Sequence, residues 1–167
     1  MLRKAAFVFC LMLLVSVSAH AQSDKFQLFG GYSYQHADAS PSFNQNGWEG
    51  ALEYKMSHLF GIVADFDGHY GQVAGVNSTT YTYLFGPQIS IPGRFSPFAQ
   101  ILLGGGHQHF TGNTTDNGFA WTLGGGVDYR ILPGVYFRVI QVGYQPTYFF
   151  NHTQNNVRIS TGLVVHF

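Results

Sequence analysis

The feature that most constrains this chain is an alternation of period two. From Gly47 to Met56, Trp48, Gly50, Leu52, Tyr54 and Met56 alternate with Glu49, Ala51, Glu53 and Lys55. Successive side chains of a β-strand point to opposite faces, so such a segment divides an apolar surrounding from a polar one. The contrast recurs between Leu59 and Tyr70, where Phe60, Ile62, Ala64, Phe66 and Tyr70 oppose Val63, Asp65, Asp67 and His69. Between Thr79 and Ile89, Tyr81, Tyr83, Phe85 and Ile89 oppose Thr80, Thr82, Gly86 and Gln88. Residues 119–131 and 157–167 repeat it, and residues 26–36 and 97–109 do so less sharply. The remaining segment, 135–145, leaves two readings open. Arg138 and Gln141 are three apart, so either a bulge turns both inward or Gln141 lies at an interface.

The connections between these eight segments alternate in length. Short links fall at Ser57-His58, around residues 91–94 and at Leu132-Pro133-Gly134. Longer polar links are expected at Ala37–Asn46, Gly71–Ser78, Phe110–Gly118 and Pro146–Asn156, all rich in turn-forming residues. Tight turns at one end and long loops at the other describe an all-β, eight-stranded antiparallel up-and-down transmembrane β-barrel. Strands of this length suit the roughly 9–11 residues needed to cross a bilayer at a tilt.

Composition decides which face meets which solvent. Charged residues make up 10% of the chain and aromatics 17%, against the ~25% charged of an average soluble domain. Residues 1–21 carry Arg3 and Lys4, an apolar run from Ala5 to Val17 and an Ala19-His20-Ala21 cleavage pattern. These are the parts of a cleaved secretory signal peptide, leaving a barrel domain at 22–167 and a location in the outer membrane. Cys10, the single cysteine, falls inside the signal, so disulfides are not expected. Without Arg3 and Lys4, six basic residues face eight acidic ones, which gives nucleic-acid binding no electrostatic support.

With the apolar faces outward, Glu49, Glu53, Lys55, Asp65, Asp67, Asp128, Arg130 and Arg158 form a lumen charge network. Both signs are then present for mutual pairing. An eight-stranded barrel is just wide enough to be filled by side chains. Tyr32, Tyr34, Trp48, Tyr81, Tyr83 and Trp121 would form an aromatic girdle next to the outer-membrane lipid. The alternative is a soluble, lipocalin- or avidin-like ligand-binding barrel with those faces turned inward.

The ending Ile159-Ser-Thr-Gly-Leu-Val-Val-His-Phe167 resembles the last strand of bacterial outer-membrane barrels, and the chain from residue 22 resembles the OmpA/OmpX-like small β-barrel superfamily. That resemblance implies that Phe167, Val165, Leu163 and Thr161 are presented to the barrel assembly machinery as an assembly signal.

No catalytic, cofactor-binding or metal-binding set emerges. His107 and His109 share a strand face, but no third ligand is fixed by spacing. Asp65, Asp67 and His69 also share a face, which paired lumen charges account for. Gly104–Gly106 and Gly124–Gly126 are followed by neither Lys-Ser/Thr nor a helix, so they are not phosphate loops. The expectation is a non-enzymatic envelope protein whose loops meet an extracellular ligand, with Phe43, Tyr148, Phe149 and Phe150 as contacts. The alternative function is a lipid A-modifying enzyme, for which the chain offers Ser160 and His166.

Overall fold

Closure is the central fact of the architecture, seen in a computed structural model that describes residues 25–38, 42–73, 76–110, 114–149 and 152–167. The strands are β1 (Phe26–Asp38), β2 (Phe43–Lys55), β3 (Phe60–Val73), β4 (Val76–Ser90), β5 (Phe95–Phe110), β6 (Thr114–Leu132), β7 (Val135–Tyr144), β8 (Thr147–Phe149) and β9 (His152–His166). Neighbours are antiparallel in chain order from β1 to β7; β9 follows β7, and β1 pairs with β9 to complete the ring. The short β8 pairs with β6 and β9, where β7 would continue past Pro146. The strands therefore fill eight positions, and the fold is the expected up-and-down barrel. The signal segment at 1–21 and the candidate contact Phe150 lie outside the described residues.

The apolar faces point outward. Trp48 is 46% exposed and Phe60 37%, whereas Glu53 on the opposite face is 4% exposed. The inverted arrangement of a soluble ligand-binding barrel is therefore not adopted. Closure pairs every strand on both sides, which is the condition for a sheet to sit in hydrocarbon. The tight links form as expected at one end. Gly134, at φ +75°, takes the left-handed conformation that ends the Leu132-Pro133-Gly134 turn.

Two expectations need correction. The four long loops are much shorter than their polar composition implied, because strand pairing continues into them. Asn, Thr and His there bond across the ladder instead of forming turns: His36 Nδ1 lies 2.6 Å from Asn44 Oδ1, and His107 Nδ1 2.7 Å from Asn117 Oδ1. Phe43, expected as a loop contact, is consequently a buried residue of β2, while Tyr148 is exposed.

The open question in 135–145 is settled by a bulge. The ladders of β7 with β6 and with β9 both shift between Arg138 and Gln141. Val139 and Ile140 are consecutively exposed, so Arg138 and Gln141 are both buried in the lumen.

Candidate functional site

The inward faces of the strands form a filled plug, and its residues are the chemistry-bearing part of the molecule. Within it sits an apolar ring made of Phe29, Ala51, Val63, Leu84, Leu102, Ala120 and Val164, one from each of seven strands. Period-two parity places each of these inward; only the cross-barrel packing reveals that they form one layer.

Arg158 stands on the loop side of this ring, fully buried. It forks onto Asp65 through Nη1 at 3.0 Å and Nη2 at 3.1 Å, donates to Asp67, and lies 3.5 Å from Glu49. The other carboxylate contacts are also filled: Ser160 and Gln141 donate to Glu49, and Thr82 donates to Asp67. The carboxylates are thus compensated, as a dry interior requires of buried ions, while Arg158 Nε has no partner among the described residues.

Arg138 performs the corresponding role nearer the turns. It donates to Asp128 from Nε at 2.8 Å and from Nη2 at 3.0 Å, and its Nη1 donates to Gln141. Its guanidinium carbon lies 4.3 Å from the Phe29 ring centre and 4.2 Å from that of Phe98, so the planar cation is sandwiched between two aromatic faces. Gln141 joins the two arginine centres, since its Nε2 donates to Glu49 at 2.7 Å. Closer to the turns, Lys55 pairs with Glu53 at 3.0 Å and donates to Ser90, while Gln88 donates to Glu53 at 2.7 Å.

Glu49, Glu53, Lys55, Asp65, Asp67, Asp128 and Arg158 are thus brought inside, and Arg138 joins them. Arg130 does not belong with them. It is exposed next to the Leu132-Pro133-Gly134 turn, forming no ion pair among the described residues. It shares Asp128's parity, but parity fixes a face, not a depth, and at position 130 the lumen has ended.

One arrangement has the spacing of a hydrolytic triad. Ser33 Oγ lies 2.9 Å from His69 Nε2, and His69 Nδ1 lies 3.0 Å from Asp67 Oδ1. Triads are recognised by geometry and role, and here the role fails. Ser33 and His69 are both 0% exposed, and Asp67 is already committed to Arg158 and Thr82. Ser33 Oγ also meets Ser160 Oγ at 3.0 Å, and Ser160 donates to Glu49. The result is a closed circuit of side chains from Arg158 through Glu49, Ser160, Ser33, His69 and Asp67, every member of it buried. The pair read from the sequence, Ser160 and His166, is six positions apart on β9. That is about 20 Å along a strand, too far for joint action. Among the described residues no group of three His, Cys, Asp or Glu could hold a metal ion.

The plug leaves little space. A void between Phe29, Val63, Gln100 and Arg138 measures about 10 Å³, at or below the room one water needs. At the turn end the lumen opens into a recess of about 630 Å³ lined by Lys25, Lys55, His58 and Tyr136 among others.

Outside, aromatic residues form two belts. On the loop side Trp48 and Tyr81 close over Gly68, where an added Cβ would lie 2.8 Å from the indole nitrogen. Tyr70 meets Tyr81 edge-on at 6.1 Å, and Trp121 meets Tyr144 at 5.8 Å. On the turn side Phe26, Tyr54, Phe95, Tyr129 and Phe167 make the second belt. Phe167 closes the barrel by exchanging two backbone hydrogen bonds of 2.9 Å with Phe26. Leu163 is exposed on the outward face, and Val165, Thr161 and Phe167 are half-buried.

The profile of the family described as "outer membrane protein beta-barrel domain" matches residues 7–167. Neisserial surface protein A (NspA) superposes with a TM-score of 0.72 at 14% identity, covering 87% of this chain and 98% of that one. Ail, the attachment invasion locus protein of Yersinia pestis, superposes at 0.57 with 13% identity, covering 83% and 97%. The N-terminal β-barrel domain of Pseudomonas aeruginosa OprF does so at 0.53 with 9% identity, covering 86% and 98%. No curated protein matches the sequence. At these identities the likeness to solved structures concerns the fold.

Proposed function

Since the chain belongs to the outer membrane protein beta-barrel domain family, we propose that it is a non-enzymatic barrel of the outer membrane that acts through its outer surface. Its turn end, where Phe26 meets Phe167, faces the periplasm, and its longer hairpins face outward. The observation that carries this reading is the lumen. Its buried charges pair with one another around an apolar ring, so the barrel offers neither a solute path nor a reachable nucleophile. What remains available to partners is the exterior: lipid around the two belts, and the hairpin tips, where Tyr148 is exposed.

The outward row Thr161, Leu163, Val165 and Phe167 on the closing strand is the segment we assign to the barrel assembly machinery. Backbone pairing of β9 with β1 completes the ring, so recognition of this row would couple delivery to closure.

The test combines location with exchange of the tips. The protein should fractionate with the outer membrane and migrate differently on gels before and after heating. Replacing residues 39–42 and 148–151 by short glycine-serine turns should abolish binding of intact cells to an extracellular target while leaving the heat shift in place. Unchanged binding would remove the tips from the proposal, and a freely soluble folded protein would overturn it entirely.

A further inference from the structure

The cations of this chain are distributed unevenly. After residue 21 the lysines and arginines are Lys25, Lys55, Arg94, Arg130, Arg138 and Arg158. Arg138, Arg158 and Lys55 are paired with lumen carboxylates. Arg94 and Arg130 are exposed, and neither forms an ion pair among the described residues.

The backbones of these two arginines are joined. Arg94 lies in the link between β4 and β5, Arg130 near the end of β6, and the Arg130 backbone N–H donates to the Arg94 carbonyl at 2.9 Å. The Arg94 guanidinium is already ordered. Its Nη2 donates to the Tyr129 hydroxyl at 2.8 Å, and its central carbon lies 5.4 Å from the Tyr129 ring centre. Both residues border one recess and have no ion-pair partner among the described residues, so an anion in that recess is attracted by two positive charges. Guanidinium groups are suited to phosphate, whose oxygens accept their paired donors.

The surroundings narrow the kind of anion. Arg94 and Arg130 line a recess of about 430 Å³ whose other walls are Ile131, Leu132 and Pro133. Ile131, Leu132 and the neighbouring Phe95 are exposed. One side of the recess is cationic and the other apolar, at the level of the turn-side aromatic belt. A free inorganic anion uses only the first side. A phosphate attached to acyl chains uses both.

We propose that this recess binds the headgroup phosphate of an anionic glycerophospholipid in the leaflet at the turn end of the barrel. The proposal rests on the membrane-spanning reading given above. It makes Arg94 and Arg130 the two phosphate ligands and Ile131 and Leu132 the start of the acyl-chain contact.

The test uses the mature chain refolded in detergent and examined by native mass spectrometry with phosphatidylglycerol and phosphatidylcholine offered together. Retention of phosphatidylglycerol should exceed that of phosphatidylcholine about tenfold. Arg94→Gln and Arg130→Gln should each bring the ratio towards one. Lys25→Gln, which removes the same charge elsewhere at that end, should leave it unchanged. An equal fall in Lys25→Gln, or no preference in the wild type, would overturn the site. Displacement of the lipid by millimolar inorganic phosphate would overturn its assignment to a lipid in favour of a free anion. A failure of the barrel reading shows separately, as loss of the heat-dependent gel shift in the unmodified protein.

Discussion

Gly31 and Gly162 face each other across the seam between β1 and β9, and neither has room for a side chain. A Cβ on Gly31 would come 2.2 Å from the Thr161 carbonyl oxygen, and one on Gly162 would come 2.3 Å from that of Gly30. Glycines at such points let the wall of a narrow barrel bend sharply. Next to them, an added Cβ on Gly30 would have nothing within 4 Å. Gly31→Ala should therefore lose most of its heat-modifiable folded form, and Gly30→Ala should keep it. Gel densitometry after refolding checks this, and equal yields would deny the seam any special tightness.

Among the described residues Arg158 is the one arginine or lysine that pairs with Glu49, Asp65 and Asp67. Arg158→Met should cost about 3–5 kcal/mol, because it leaves buried carboxylates uncompensated. Asp65→Asn keeps the shape and removes one of three negative charges, so its cost should be near 1 kcal/mol. Urea unfolding in micelles, followed by tryptophan fluorescence, measures both. The order of the two variants is the decisive result; a reversal would mean that Arg158 is not what holds the acids in place.

Ser33 and His69 are both fully buried. A fluorophosphonate probe for activated serines should leave the folded protein unlabelled. Ser33→Ala should destabilise the barrel by about 1–3 kcal/mol through the buried imidazole nitrogen it leaves unpartnered. Labelling of Ser33 in the folded state, seen by peptide mass analysis, would show that the lumen opens.

The void between Phe29 and Arg138 measures about 10 Å³, at or below the room one water needs. Planar bilayers containing the purified protein should show no unitary conductance steps. Steps in the wild type would contradict the filled lumen.

Phe26 and Phe167 stack at 5.9 Å with an interplanar angle of 17°, in addition to their two backbone hydrogen bonds. A double-mutant cycle of Phe26→Ala and Phe167→Ala in the refolded protein should give a coupling of about 0.5–1.5 kcal/mol. In cells, Phe167→Ala should depress assembly more than Phe26→Ala does. Equal effects would reduce Phe167 to a packing residue.

The sequence was legible where the two faces of a strand meet different solvents. Glu49 and Glu53 against Trp48 and Leu52 state inside and outside without ambiguity, and the ring of strands follows. Legibility ended where both faces are wet. Asn44, Asn77 and Asn117 resemble turn residues, yet they sit in ladders and bond across them, because no lipid marks one face as apolar there. It ended again where contacts cross the lumen. Ser33 and His69 are on β1 and β3, and nothing local announces that their side chains meet. The bulge that admits Arg138 is a third case, since Val139 and Ile140 break the alternation within β7.

That bulge has a consequence for how this wall can change length. Arg138 and Gln141 span three steps of β7 against two of β9, and the pairing with β6 skips at the same place. Removing Val139 would make both ladders regular without turning any later residue over. Elsewhere a one-residue insertion or deletion inverts everything downstream in its strand. Here the barrel carries a spare residue, a point at which its lineage could gain or lose a codon and still fold.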